Sequence, residues 1–322
     1  MSWQKKLAQG FDSAKDLLNY LHLPVALGSA LAEQQFVSRV PLGFAARMQK
    51  GNPDDPLLLQ VLATKNELEE DKNYTVDPLT ELDSNPLKGL IHKYHGRVLI
   101  TLTGICAVNC RYCFRRHFPY QDNNPGRNGL MQICTYIAQD PTITEVILSG
   151  GDPLLASDVV IAGLIAQLES IPHVHTLRIH TRIPIVLPER IDENLLSILA
   201  STSLKKVMVF HCNHAQELDE SVFEACESLR KAGCHLLNQS VLLAGINDKV
   251  DTLAELSHAL FDHGIMPYYL HVLDKVKGAI HFDMDIAKIK ILYQELQHRL
   301  PGYLLPRLAR EVPGKLSKTL LF

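Results

Sequence analysis

The sequence predicts an α/β protein built on parallel strands. From about residue 96 onward, short β-branched apolar runs alternate with amphipathic stretches, at intervals that suit βα units. Strict alternation of strands and helices requires parallel strands joined by right-handed crossovers. The sequence contains six such units, which are too few for a closed eight-stranded barrel. Polar and glycine-rich residues collect just after the strands, where parallel barrels carry their chemistry.

Residues 1–90 are predicted to form short helices interrupted by prolines and glycines. Ser13 and Ser29 are expected to be N-caps, because a serine hydroxyl accepts from the free backbone N–H groups of a first helical turn. An irregular connector, residues 77–87, follows. We expect this N-terminal helical region to cover a core and to carry little chemistry. Its helices are predicted at residues 13–23, 29–40 and 56–70.

The predicted barrel occupies residues 91–300, and residues 301–322 form a short C-terminal segment. Its strands are predicted at residues 97–103, 145–149, 175–180, 206–211, 235–242 and 266–272. The helices that follow them are predicted at residues 128–140, 157–170, 191–201, 215–232, 250–263 and 284–299.

Composition limits the classes of function. The 322-residue chain is 46% hydrophobic and 21% charged, with a net charge of −3, so it has no global basic field that would attract nucleic acid. A small molecule is the expected partner. Seven cysteines, no signal peptide and no apolar run of about 18 residues predict a reducing compartment and no membrane span. We therefore expect a cytoplasmic protein.

Three cysteines fall within eight residues directly after the first predicted strand: Cys106, Cys110 and Cys113, a CxxxCxxC motif. A structural zinc site normally takes four protein ligands, and the chain has no second cysteine or histidine pair to complete one. Three thiolates suit an iron–sulfur cluster that keeps one iron open for a small molecule. Zinc, or unrelated buried cysteines, is the alternative from spacing alone. The remaining cysteines show no metal spacing and are expected in the core: Cys134, Cys212, Cys226 and Cys234.

The motif resembles the signature of the radical S-adenosylmethionine (radical SAM) enzymes. The resemblance implies a [4Fe–4S] cluster that binds S-adenosylmethionine, on a partial (βα)6, TIM-like barrel. Gly150, Gly151 and Asp152 are similar to the family segment that binds the methionine part of this cofactor, and glycines let a ligand approach the backbone. His211 and Gln239 match positions that face its sulfonium. Alone, a Gly-Gly-Asp turn or a histidine at a strand end would be an ordinary structural feature.

Residues 77–97 and the tail resemble lysine 2,3-aminomutase, a radical SAM enzyme that also uses pyridoxal 5′-phosphate (PLP). The resemblance runs from about residue 77 to residue 319. It implies that Lys318, five residues after Pro313 and directly before a threonine, attaches PLP. Lys315 is a rival, because the tail lacks the family's run of glycines. The family residues that line the PLP site are matched by Lys93, Tyr94 and Arg97.

Three further residues match positions that bind substrate in the family. Arg115 matches the arginine that holds the substrate carboxylate. Asp274 and Glu311 match two carboxylates that bind the ε-ammonium of L-lysine, although aspartate is usual at the second position. Two acids argue against glutamate, whose far end is anionic. The alternative for the basic aromatic run at residues 111–117 is a nucleic-acid patch, which a net acidic chain disfavours.

The resemblance implies an isomerase. With an external electron donor such as flavodoxin or ferredoxin, the cluster cleaves S-adenosylmethionine to a radical that takes hydrogen from PLP-bound lysine, and the nitrogen moves from the α- to the β-carbon. Residues 270–282 and 308–312 and the short tail are most similar to the bacterial branch that makes (R)-β-lysine for the ligase that modifies translation elongation factor P. A catabolic lysine or a glutamate 2,3-aminomutase is the alternative. The sequence leaves assembly into an oligomer open.

Overall fold

A computed structural model of the chain describes residues 2–322 and contains one nine-stranded sheet. Its strands are β1 (Leu90–Tyr94), β2 (Arg97–Thr103), β3 (Glu145–Gly150), β4 (Thr176–Thr181), β5 (Lys205–Phe210), β6 (Cys234–Leu242), β7 (Met266–Val272), β8 (Arg307–Arg310) and β9 (Thr319–Leu320). Strands β2 to β8 run parallel to one another. The edge strands β1 and β9 pair antiparallel with β2 and β8. No pairing between described residues joins β1 to β9, so the sheet is a partial barrel.

The helices pack in chain order around this sheet, and most of the long ones connect parallel strands. They are α1 (Trp3–Leu7), α2 (Ala14–Tyr20), α3 (Ala30–Gln35), α4 (Leu42–Ala45), α5 (Pro56–Leu59), α6 (Gly126–Gln139), α7 (Asp158–Glu169), α8 (Ile183–Val186), α9 (Glu193–Ser201), α10 (Glu220–Lys231), α11 (Val250–Asp262) and α12 (Ile286–Arg299). Within residues 2–322, no helix has the length and apolar character needed to cross a membrane.

The six predicted strands are confirmed as β2 to β7, and the sequence missed three others. Strand β8 adds a seventh parallel strand, and its four residues are too few to give a periodic signal. Strands β8 and β9 lie in the predicted C-terminal segment, so the sheet continues across residue 300. The division into residues 1–90, 91–300 and 301–322 stays a prediction.

The N-terminal helices are shorter than predicted. Ser13 and Ser29 are N-caps, as expected: their hydroxyls accept from backbone N–H groups three residues on. The helix predicted to reach residue 40 ends at Gln35 because the next residues are held extended. There the Phe36 carbonyl accepts from an arginine of the cysteine loop, and Val40 forms a β-bridge with residue 11.

The helix predicted over residues 56–70 is only one turn long. A 3₁₀ turn over residues 65–68 begins after it, where the Thr64 N–H donates to Glu67 Oε1 at 3.1 Å. The Glu67 carboxylate is drawn inward to two arginines of the cysteine loop, which a continuous helix would not permit in this position.

The apolar core runs without a break from the N-terminal helices into the barrel. Leu17 and Leu58 belong to the same buried cluster as Ile100, Val146 and Leu177 on the strands. Burial of a leucine or isoleucine side chain contributes about 1.5–3 kcal/mol. The N-terminal region therefore covers the barrel, as the sequence predicted.

Candidate active site

A cavity of about 630 Å³ fills the interior of the barrel and reaches the loops that follow the parallel strands. Every residue that the sequence predicted for the site lines this cavity. The rival Lys315 does not line it and is exposed. The predicted residues on the cavity wall are Cys106, Cys110, Cys113, Gly150, Gly151, Asp152, His211, Gln239, Lys93, Tyr94, Arg97, Arg115, Asp274, Glu311 and Lys318.

The glycine-rich segment after β3 lies directly on the cysteine loop after β2. The Gly151 N–H donates to the Thr103 carbonyl at 2.7 Å, and the Asp152 N–H donates to the Ile105 carbonyl at 2.8 Å. A Cβ on Gly150 would lie 2.5 Å from the Thr103 carbonyl oxygen, and its φ of +121° is open only to glycine. These glycines let the two loops meet without side chains between them, which leaves a backbone cradle beside the thiols.

The three thiols of the cysteine loop face the cavity close to cations. Burial raises the pKa of the Cys106 thiol well above its usual value and that of Cys113 to about 11. Arg182 Nη1 donates to Cys110 Sγ at 2.7 Å. Among residues 2–322, no three His, Cys, Asp or Glu side chains converge on a single-ion site. The residues fit a larger cluster whose binding would displace the thiol protons.

The arginines around these cysteines are buried in ion pairs. Arg111 donates to both oxygens of Glu67, at 2.8 and 2.7 Å, and Arg116 donates to the same carboxylate at 2.7 Å. All three side chains are at most 1% exposed, so they form no basic surface for nucleic acid. Glu67 comes from the N-terminal region, so this region anchors the cysteine loop as well as covering the core.

Arg115 has a carboxylate partner that sequence reasoning missed. Its Nε and Nη2 donate to the two oxygens of Glu81 at 2.6 and 2.7 Å, and its Nη1 donates to Ser149 Oγ at 3.0 Å. Burial disfavours the charged guanidinium, but Glu81 outweighs this and holds the pKa of Arg115 above its ordinary value. Glu81 lies in the connector before β1, where a single acid among prolines gives no signal.

Glu311 lies between two lysines that both line the cavity. Lys318 Nζ donates to Glu311 Oε2 at 2.9 Å, and Lys93 Nζ donates to Oε1 at 3.1 Å. Burial would raise the pKa of Glu311, but the ammonium groups of Lys318 and Lys93 lower it to about 2. Burial, and next the charge of Glu311, raise the pKa of Tyr94. The acid predicted for the substrate ammonium is thus beside the lysine predicted for PLP.

Asp274 is the one predicted acid whose side chain makes no hydrogen bond or ion pair with another described residue. Burial, and next the charge of Glu311, raise its pKa to about 7. No ammonium or guanidinium group of residues 2–322 contacts this carboxyl group, and the charges of Lys318 and Lys93 offset the rise only in part. The pair of acids therefore fits an incoming ammonium group.

The carboxylate of Asp152 is bonded to donors of its own chain. Its carboxylate accepts from Thr181 Oγ1 at 2.7 Å and from the backbone N–H groups of Arg182 and Leu154 at 2.8 and 3.1 Å. These bonds join the ends of β3 and β4. These bonds use much of the hydrogen-bonding capacity of the carboxylate, and the backbone N–H and C=O of Asp152 are also paired, with Ile105 and Leu155.

His211 and Gln239 are adjacent on the cavity wall. Burial, with Arg182 and Arg115 nearby, lowers the pKa of His211 to about 3, so the ring is neutral at physiological pH. Gln239 Nε2 lies 2.7 Å from His211 Nε2. Since a neutral imidazole can accept at one nitrogen, this contact is a hydrogen bond. Both side chains are neutral, so they bring hydrogen-bonding groups to the cavity wall without adding charge.

Arg97 and Tyr94 fit the phosphate and ring of PLP. The Arg97 guanidinium carbon lies 4.8 Å from the centre of the Tyr94 ring. Arg97 forms no ion pair within residues 2–322, so its charge is available to an anion, and planar guanidinium groups bind phosphate well. The phosphate group of PLP would supply the anion that Arg97 lacks.

Arg182 is a further residue of the cavity wall, and its place in the sequence is the signal for it. It follows β4 directly, at the rim where functional residues were expected. It is 5% exposed and joins the cysteine loop to Gln60 and Glu217, at 2.7 and 2.8 Å. The remaining cysteines lie in the core, as predicted: Cys134, Cys212, Cys226 and Cys234 are all buried and free.

The fold and the site together define a class. Residues 100–256, which include the cysteine loop and the glycine-rich segment, match the family model of the radical SAM superfamily. A partial barrel of parallel strands with three cysteines after its first parallel strand is the arrangement of a radical SAM enzyme.

Curated relatives narrow the class. A protein of Escherichia coli K12 is 48% identical over 98% of this chain and 93% of its own length, and one of Haemophilus influenzae is 47% identical over 99% and 95%. One of Clostridium subterminale is 33% identical over 98% and 77%. All three are named L-lysine 2,3-aminomutase. The chain belongs to the L-lysine 2,3-aminomutase family, and its cofactors are a [4Fe–4S] cluster, S-adenosylmethionine and PLP.

Proposed function

We propose that this protein is an isomerase that converts L-lysine to β-lysine, in the (R) form, by moving the amino group from the α- to the β-carbon. Family membership supports the reaction class. The observation that carries the proposal is that one cavity is lined by the cysteine loop, by Lys318 and by two acids suited to a substrate ammonium.

The proposal assigns the cofactors to separate parts of the cavity. When bound, they supply the radical chemistry and the carrier for the migrating nitrogen. The three cysteines of the loop hold the cluster, and the backbone at Gly150 and Gly151 admits the methionine part of S-adenosylmethionine. Lys318 attaches PLP, and Arg97 with Tyr94 and Lys93 binds its phosphate and ring. Burial within the barrel excludes water from the reacting atoms.

The substrate is held at its two ends. Arg115 keeps two N–H groups that have no partner among the described residues, and these suit the substrate carboxylate. At the other end, the ε-ammonium of lysine supplies the cation that Asp274 lacks. The side-chain carboxylate of glutamate would lie against the carboxylates of Asp274 and Glu311, so the geometry disfavours a glutamate aminomutase.

Anaerobic purification followed by analysis of iron, sulfide and PLP in one sample tests the cofactor assignment. With S-adenosylmethionine and a strong reductant, the same sample should convert L-lysine to β-lysine and leave L-glutamate unchanged. Zinc without PLP would refute the proposal. Turnover of glutamate instead of lysine would refute the substrate assignment alone.

We further propose that the product serves the ligase that modifies translation elongation factor P, in the cytoplasm, with flavodoxin or ferredoxin as electron donor. Similarity at residues 270–282 and 308–312 supports the first part. Seven free cysteines support a reducing compartment.

Mass spectrometry of elongation factor P from cells that lack the gene tests this role. The β-lysyl group should be missing, and added β-lysine should restore it, because only the isomerisation is absent. An unchanged modification in the deleted strain would favour a catabolic lysine aminomutase.

A further inference from the structure

Glu81 occupies a junction between groups assigned to substrate and to cofactor. Its two oxygens accept from Arg115, and Oε1 also lies 3.9 Å from Lys93 Nζ. Lys93 in turn contacts Glu311, which contacts Lys318. Glu81 lines the cavity and its side chain is 5% exposed. This carboxylate thus links the two ends of the site.

Glu81 determines which N–H groups of Arg115 remain for a ligand. A guanidinium has five N–H groups, and a carboxylate can pair with it either along the Nε edge or across its two terminal nitrogens. Glu81 occupies the Nε edge, and Ser149 takes one N–H of Nη1. One N–H on each terminal nitrogen remains without a described partner, and these two groups are the ones left for a second carboxylate.

The backbone before Glu81 is bent to aim this side chain inward. Thr80 has a φ of +47°, which is unfavourable for a β-branched residue. The turn is held by Asp77, whose carboxylate oxygens accept from the backbone N–H groups of Glu81 and Leu82 at 3.1 and 3.4 Å. Strained backbone of this kind persists where the surroundings fix it and is common at functional sites.

We propose that Glu81 is a positioning residue for substrate recognition: it fixes Arg115 in the orientation that accepts the α-carboxylate of lysine. The inference rests on the proposed function. Its consequence is that Glu81 contributes to the affinity for ligands that carry this carboxylate and not to the affinity for those that lack it.

Two ligands separate this role from a general structural one. Cadaverine, 1,5-diaminopentane, is lysine without its carboxylate. Binding of each ligand to the PLP-loaded protein is followed by the absorbance of PLP, without S-adenosylmethionine. Glu81→Gln should weaken L-lysine binding by about 10- to 100-fold, the range known at metal sites for removal of a partner that orients a ligating side chain. Cadaverine binding should be unchanged.

Glu67→Gln is the matched control, because it breaks an equally buried bidentate pair with an arginine of the same loop, but Glu67 does not line the cavity. This change should affect both ligands by the same factor. Glu81→Asp keeps the charge on a shorter side chain and should recover part of the preference for lysine. It also replaces the glutamine variant if that variant fails to hold PLP.

A Glu81→Gln protein that keeps the wild-type ratio of lysine to cadaverine affinity, or exceeds it, overturns the inference while the proposed function stands. Loss of both affinities by the same factor also overturns it, because that is the behaviour of a structural residue. A wild-type protein that holds PLP but shows no absorbance change with L-lysine would instead refute the proposed function.

Discussion

Lysine binding should weaken as the pH falls from 8 to 6, because the substrate ammonium needs Asp274 in its charged form. Burial and Glu311 raise the pKa of Asp274 to about 7, against an ordinary value of 3.8. An arriving ammonium stabilises the carboxylate and lowers this pKa in the complex. Binding in acid therefore requires Asp274 to release a proton, and the sign of the effect is a KM that rises as pH falls.

The size of the effect follows from the fraction of Asp274 that is ionised. With a pKa of about 7, this fraction is about nine tenths at pH 8 and about one tenth at pH 6. The KM for L-lysine should accordingly rise about tenfold over these two units. An aspartate with the ordinary pKa would be ionised throughout this range and would give no change.

Asp274→Asn gives the comparison that isolates this titration. Its KM should be higher than that of the wild type at pH 8, because a buried ammonium loses its charged partner. The ratio of variant to wild-type KM should fall about tenfold towards pH 6, while other pH effects cancel. Steady-state kinetics on the cofactor-loaded enzyme at pH 6, 7 and 8 measure it. A ratio that is independent of pH would refute the reasoning.

Three other changes test separate parts of the site. Cys110→Ala should abolish the cluster absorbance and radical cleavage of S-adenosylmethionine, whereas Cys226→Ala, in the core, should retain both; cleavage by the first variant would contradict the cluster assignment. Borohydride should no longer trap PLP on the Lys318→Ala protein, whereas it should still do so on the Lys315→Ala protein. Peptide mapping checks which residue is labelled, and a label on Lys315 would reverse the assignment. Glu67→Gln should lower the free energy of unfolding by about 3–5 kcal/mol, because it leaves the buried charge of two arginines uncompensated. Denaturant titrations measure this, and a change below about 1 kcal/mol would contradict it.

The strands and the strand-end residues could be predicted because their signals are local. A parallel strand buried on both faces is a continuous apolar run, and residues 145–149 and 206–211 are of that kind. Strand β8 gave no such signal because it has four residues and follows a proline. Its contribution depends on pairing with β7, which is a tertiary interaction.

The carboxylates that hold the loop arginines could not be predicted from the sequence. Glu67 and Glu81 lie more than thirty residues before their arginines, in a region read as a covering layer. Nothing local distinguishes them from solvated acids, which is the usual fate of glutamate. Asp152 is a different case: it follows β3 and lines the cavity, but neighbouring donors already bond its carboxylate.

The pairing of charges along the cavity explains why one carboxylate, that of Asp274, stays unpaired until the substrate binds. Arg115, Glu81, Lys93, Glu311 and Lys318 alternate in sign, and each contacts the next. Buried charges compensated in this way need no ligand to remain ionised. Asp274 stands outside the series, and burial and the charge of Glu311 together raise its pKa. The cost of ionising it is offset only when a cation arrives, so a ligand with an ammonium at the correct distance gains binding energy that a neutral side chain of equal length does not.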